Sequence, residues 1–202
     1  MSASSNRSNT FEGGDAWVQR ALARWPGIPA CHGWLALDGR GRWLLDGRPV
    51  THSGLQTFLA RHYQRDEDGA WYVQNGPQQV FVDLELAPWV ASLDGAGALV
   101  AHTGEAIVSV EALFIDEAQR LYLVTEDRLA ALCDRDYDTF CAGLSLADST
   151  EQDTEAALAA LLLLDQTAPS LALRWQDHPL PAHFAAAAEL ESRFAFRRRP
   201  RA

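Results

Sequence analysis

Trp34-Leu35-Ala36-Leu37-Asp38-Gly39-Arg40-Gly41-Arg42-Trp43-Leu44-Leu45-Asp46-Gly47 sets two short apolar runs against two Asp-Gly pairs. Its two apolar runs, Trp34 to Leu37 and Trp43 to Leu45, are too short for helices. Each is closed by Asp-Gly, a dipeptide suited to turns that need a positive φ, so the stretch predicts a β-hairpin.

Further along, Leu55, Phe58, Leu59 and His62 recur on one helical face, which predicts a helix capped by Ser53 and running to about Arg65. Asp68-Gly69 ends it. Strands follow at Ala70 to Gln74 and Gln79 to Leu86, joined by Asn75-Gly76-Pro77; the alternation of Val80, Val82 and Leu84 with Phe81, Asp83 and Glu85 predicts a sheet buried on one face. Beyond Pro88 and Asp94-Gly95, further strands are expected at Ala98 to Ala101, Ala106 to Val110, Ala112 to Ile115 and Arg120 to Val124. A helix is expected at Arg135 to Leu144.

The ends of the chain are helical by pattern. Trp17, Val18, Ala21 and Leu22 share a face within Asp15 to Arg24, stopped by Trp25-Pro26-Gly27. Glu155 to Asp165 is rich in alanine and leucine, with Ser149, Thr150 or Asp153 available as its cap. A strand at Leu171 to Trp175 precedes a final helix at Pro181 to Phe194, and the basic tail Arg197-Arg198-Arg199-Pro200-Arg201 reads as frayed and solubilising. The fold class is therefore α+β. It divides into an N-terminal tail and helix (1–30), a first strand-rich unit (31–87), a second (88–147), each unit with a helix, and a mainly helical C-terminal extension (148–202). The shared make-up of the two units suggests a repeat, although few residues recur between them.

Composition narrows the function. Of 202 residues, 27 are acidic and 17 basic, a formal net charge of −10 that repels nucleic-acid backbones and anionic bilayers. Neither nucleic acid nor membrane is expected as a partner. All 17 basic residues are arginine, which excludes lysine chemistry: Schiff bases, lysine general bases and a phosphate-loop lysine. The polar start contains no signal-peptide pattern, and the longest apolar run, Ala156 to Leu164, is short of the roughly 20 residues that cross a bilayer. Three cysteines without motif spacing, Cys31, Cys133 and Cys141, fit reduced thiols, and a cytoplasmic location is expected.

One resemblance rests on Gly41-Arg42-Trp43-Leu44-Leu45-Asp46-Gly47-Arg48-Pro49-Val50, on Arg65-Asp66-Glu67-Asp68-Gly69-Ala70-Trp71-Tyr72-Val73, and on Val80-Phe81-Val82-Asp83-Leu84-Glu85-Leu86-Ala87-Pro88-Trp89-Val90. In order, these stretches resemble an uncharacterised proteobacterial family, domain of unknown function twelve-eighty-five, over Trp34 to Phe140. The resemblance implies two related strand-rich units and a regulatory or ligand-sensing role in bacterial signal transduction. It offers no catalytic residues.

Candidate chemistry is sparse. Cys31-His32 is the one adjacent soft-ligand pair, but Cys133 and Cys141 lack zinc spacing, so buried free thiols are the expectation and neither a metal nor another cofactor is. His52-Ser53 with Asp46 or Asp66 could be a nucleophile constellation, yet Ser53 reads first as a helix cap. Asp83 and Glu85 project to one side of a strand and are the candidate ligand-binding residues, against the plainer reading of a solvent-facing row. The run Leu161 to Leu164 covers too much of a helix for a surface position, so it is core or the contact of a homodimer. The expected function is a non-catalytic module that holds an unidentified small molecule or protein, with a hydrolase assembled only in three dimensions as the alternative.

Overall fold

The computed structural model describes residues 30–126, 128–149 and 153–201. The helix expected at Asp15 to Arg24 lies outside them. Fourteen strands form two mixed sheets. The first contains β1 (Ala30–Leu37), β2 (Trp43–Leu45), β3 (Arg48–Pro49), β4 (Tyr63–Arg65), β5 (Trp71–Asn75) and β6 (Gln78–Leu84), in the order β3-β2-β1-β6-β5-β4. The second contains β7 (Trp89–Leu93), β8 (Leu99–Ala101), β9 (Ala112–Ile115), β10 (Leu121–Thr125), β11 (Arg128–Leu132), β12 (Leu144–Leu146), β13 (Ser170–Trp175) and β14 (His178–Phe184), in the order β12-β13-β14-β9-β10-β11-β7-β8. Four α-helices are described: α1 (Ser53–Arg61), α2 (Tyr137–Cys141), α3 (Thr154–Leu162) and α4 (Ala187–Arg193). The protein is α+β, built on two strand-rich units. No helix among the described residues is long and apolar enough to cross a membrane.

The two units share a topology that few residues betray. In each, a hairpin (β1–β2, β7–β8) lays its first strand parallel to the last strand of an antiparallel meander: β1 beside β6, and β7 beside β11. The meanders are β4-β5-β6 and β9-β10-β11. One turn recurs at corresponding places. Asp38, Asp94 and Asp116 each use one carboxylate oxygen to accept from the backbone N–H groups two and four residues on, at 2.8 to 3.0 Å. Asp66 accepts from Ala70 N–H at 2.7 Å in the same way. The fourth residue of every such turn has a positive φ: Gly41, Gly69, Gly97 and Gln119. An aspartate that satisfies its own loop backbone, followed by a left-handed residue, is the device that makes these corners.

Packing follows from strand alternation. On the second sheet Phe114, Tyr122, Leu129 and Ala131 face a core shared with Leu35, Leu37, Val80, Val82 and Leu84 of the first sheet and with Leu55, Phe58 and Leu59 of α1. Their neighbours Leu113, Ile115, Leu121, Leu123, Ala130 and Leu132 face the other way, into a core with Phe140, Ala157, Leu161 and Leu180. The second sheet is thus the middle layer, buried on both faces. In α3, capped by Asp153, Ala157 and Leu161 are fully buried, whereas Leu162 and Leu163 are exposed.

Four local expectations are corrected. His52, not Ser53, caps α1, its Nδ1 accepting from Leu55 N–H at 3.4 Å, and the helix stops at Arg61 because Tyr63 to Arg65 pair with β5. Ala106 to Val110 makes only a single bridge, from Ala106 to Val100; it lies beyond an edge strand, and Val108 is 86% exposed. The helix expected at Arg135 to Leu144 ends at Cys141, where Trp175 stacks on Phe140 at 4.8 Å and its Nε1–H donates to the Phe140 carbonyl, and Leu144 then joins β13. Residues 178–184 are a strand, and the final helix, expected from Pro181, begins only at Ala187. Pro179 and Pro181 are tolerated because that half of β14 has a strand on one side only, pairing with β9 from Ala182 onward.

Candidate functional site

Where the sheets meet, the Asp38 to Arg42 turn, the end of β6, the end of β11 and the turn between β9 and β10 enclose a cleft of about 250 Å³. Asp38 organises its first wall. One of its carboxylate oxygens holds the turn and the other accepts from Arg42 Nε at 2.7 Å. Arg40 crosses to the second unit and donates Nε and Nη2 to the two oxygens of Asp134, both at 2.9 Å. This fork geometry favours both charged forms: hydrogen bonding to Arg40 holds the Asp134 carboxyl below its usual range and raises the guanidinium. Both side chains are about half exposed, so the pair fixes orientation more than it stabilises the fold.

The opposite wall carries Arg120 and Tyr137. Tyr137 Oη accepts from Leu121 N–H at 2.9 Å, and burial raises its phenol above the usual range. Arg120 extends from the turn held by Asp116, whose second oxygen accepts from the buried Tyr122 hydroxyl at 2.9 Å. Among the described residues Arg120 has no carboxylate within ion-pair distance. Arg42 keeps its terminal nitrogens outside the contact to Asp38.

A second cleft, of about 480 Å³, lies across Glu85 and is lined by Leu84, Glu85, Glu191, Arg197, Arg198 and Arg199. Here the frayed-tail reading is corrected. The tail is a strap: Arg197 N–H donates to Gly69 O, Leu84 N–H donates to Arg198 O, and Arg198 bonds Glu191 through both backbone and guanidinium. Phe196 and Pro200 are buried on either side of the three arginines. The sheet edge and helix α4 offer the polar partners that a bare reading of an arginine run does not supply.

Of the candidate residues, Asp83 lies under this strap with Arg201 Nη1 at 3.4 Å from its carboxylate. Glu85 lines both clefts and accepts from Gly39 N–H at 2.9 Å. His52 is a helix cap and Asp66 holds its own turn. The three cysteines are buried and unpaired, and His32 stacks on Phe81 at 4.4 Å. No group of three or more His, Cys, Asp or Glu side chains among the described residues is placed to hold a metal. Arg40, Arg42, Arg120, Asp134 and Tyr137 were not legible as a site, because they are distant in sequence and only the topology unites them. Arginines flanking Gly41 in a turn were the one local signal.

Elsewhere along the seam, Trp43, Tyr63, Trp71, Trp89 and His102 pack ring against ring, with centroids 4.5 to 6.1 Å apart. Tyr63 Oη donates to Pro88 O at 2.9 Å, and His102 Nδ1 accepts from Val90 N–H at 3.3 Å. That acceptor role places the proton of the neutral ring on Nε2. Burial lowers the His102 pKa to about 3 and raises the Tyr63 phenol well above its usual range.

A family model described as "Protein of unknown function (DUF2946)" matches residues 14–201. The chain belongs to that family. Among solved structures, this member of the DUF2946 family is similar to a DUF1285 family protein from Silicibacter pomeroyi DSS-3, at 17% identity and a TM-score of 0.50, over 89% of this chain and 92% of that one. A DUF1285 family protein from Shewanella baltica OS155 is also similar, at 16% identity and a TM-score of 0.40, over 53% of this chain and 89% of that one. The resemblance read from Trp34 to Phe140 thus has its counterpart in fold. No curated protein matches the chain.

Proposed function

We propose that this DUF2946 family member is a non-catalytic binding module of regulatory type, which holds a small anionic molecule in the cleft between its two sheets. The observation behind this reading is where the arginines stand. In a chain of net charge −10, Arg40, Arg42 and Arg120 converge on one concave polar surface, where they meet Asp38, Glu85 and Asp134 in equal number. Arg40 is saturated by Asp134 and Arg42 is ion-paired with Asp38 through Nε, which leaves Arg120 and the outer nitrogens of Arg42 to meet a carboxylate or phosphate. The lining contains no histidine, serine or cysteine, so a triad of the Ser-His or Cys-His kind is not assembled there, and its carboxylates Asp38 and Asp134 are occupied by Arg42 and Arg40. Because the cleft draws on both units, an occupant touches both.

A thermal-shift series with inorganic phosphate, phosphomonoesters and short carboxylates tests the reading. A bound anion stabilises the native state by about 2.7 kcal/mol at a hundred times its Kd. The expected result is a saturable rise in Tm that Arg120→Gln abolishes. A series in which only cations or apolar compounds raise Tm contradicts it.

A further inference from the structure

We infer that residues 106–110 are an open edge of the second sheet, which takes an extended segment of a partner protein, apolar in the middle and basic at its flanks, as an added strand. This surface is independent of the cleft between the sheets. Ala106-Ile107-Val108-Ser109-Val110 has the uncharged, proline-free, β-branched make-up of a strand, and the run contains no turn, bend or positive φ. Yet it does not complete a ladder. Ala106 bridges Val100 of β8, flanked by bonds from Ala101 N–H to Glu105 O at 2.8 Å and from Ile107 N–H to Leu99 O at 2.9 Å. Apart from that Ile107 N–H, no backbone N–H or C=O group of 106–110 has a hydrogen-bond partner among the described residues. The side chains divide as those of an edge strand do: Ile107 and Val110 pack against the core of the second sheet, whereas Val108 projects into solvent. Proteins ordinarily blunt a free edge with charge or proline inside it, and an unblunted row of backbone donors and acceptors is a template for strand addition.

The border of this edge is acidic and selects the occupant. Glu105 and Glu126 line one small pocket with Ala106 and Ile107, and Glu111 follows Val110. Arg128, the base lining that pocket, is paired with Glu105 at 3.0 Å, while Glu111 and Glu126 have no ion pair among the described residues. Basic residues at the ends of an incoming strand meet these carboxylates. The same charges oppose a second copy of this chain, because an antiparallel pair centred on Val108 sets Glu105 against Glu111, like charge on like.

Titration of the full chain with a dye-labelled synthetic peptide, Arg-Val-Thr-Val-Thr-Val-Arg, tests the inference, with affinity read by fluorescence anisotropy and the Val108 amide followed by NMR. Saturable binding that protects the Val108 N–H from hydrogen exchange is expected. Val108→Pro removes that N–H without breaking a bond in the free chain and should weaken the peptide at least about tenfold, while Val108→Thr stays within about twofold of wild type. N-methylation of the peptide's central residues, which leaves the protein untouched, should have the same effect as the proline. A Glu-flanked peptide with the same core should bind about three- to tenfold more weakly at low salt, the gap closing as salt is raised. Absence of saturable binding, or binding that survives both Val108→Pro and N-methylation, overturns the proposal. Equal affinity for the two peptides at low salt overturns the basic selection. A wild-type dimer in sedimentation that Val108→Pro dissociates assigns the edge to a second copy and refutes the partner segment.

Discussion

His102 should make this protein lose stability on mild acidification, in a window set by its burial. In the folded chain the ring is enclosed by Trp43, Tyr63 and Trp89, and its pKa lies at about 3; unfolded, it returns to the ordinary value of 6.5. Above pH 6.5 both states are neutral and the ring adds no pH dependence. As pH falls below that value the unfolded chain takes up a proton that the folded chain refuses, and each further pH unit costs about 1.4 kcal/mol. By pH 5 the loss attributable to His102 is about 2 kcal/mol, a substantial part of the 5–15 kcal/mol typical of a domain. The depressed carboxyls of Asp134, Glu117 and Asp165 titrate lower still, and the pKa of His183, lowered by burial and Arg193, acts in the same direction. His102→Asn retains an acceptor for Val90 N–H and cannot titrate. Urea unfolding at pH 7.5, 6 and 5 should show wild type losing about 2 kcal/mol more than the variant across the series. Parallel slopes for the two proteins would refute the assignment.

Two other perturbations test the packing and the strap. Leu161 is fully buried between α3 and the second sheet, so Leu161→Ala should cost about 2 to 5 kcal/mol by calorimetric melting, and an unchanged Tm would remove α3 from the core. Gly69 has φ +83°, and a Cβ there would lie 2.3 Å from the carbonyl oxygen of Ala195. Gly69→Ala should therefore cost about 1 to 3 kcal/mol and speed tryptic cleavage after Arg197 and Arg198, whereas wild-type cleavage kinetics would mean that the strap is not held at this point.

What the sequence disclosed was local. Asp-Gly corners and alternating Val80, Val82 and Leu84 identified the hairpin and the central strand, because turn chemistry and period-two burial act between near neighbours. Residues 178–184 misled, since two prolines and an alanine-rich continuation mask a strand that only its partners stabilise. The recurrence of the two units was hidden similarly. Its conserved geometry needs only an aspartate and a positive φ, and Gln119 meets the latter where three glycines do elsewhere. The cleft was the least legible part. Glu85 was visible as one of an alternating acidic pair, but Arg40, Asp134 and Arg120 meet through chain crossings that no linear spacing encodes.

The proposed anion sits between the two sheets on Arg120 and the outer nitrogens of Arg42, and heteronuclear NMR of the arginine Nε–Hε groups during titration with inorganic phosphate would register it. The Arg120 signal should shift and saturate along one isotherm, with those of Arg40 and Arg42, whose Nε–H groups are held by Asp134 and Asp38, moving less. Shifts that stay linear with phosphate, or that saturate only at arginines outside the cleft, would contradict it.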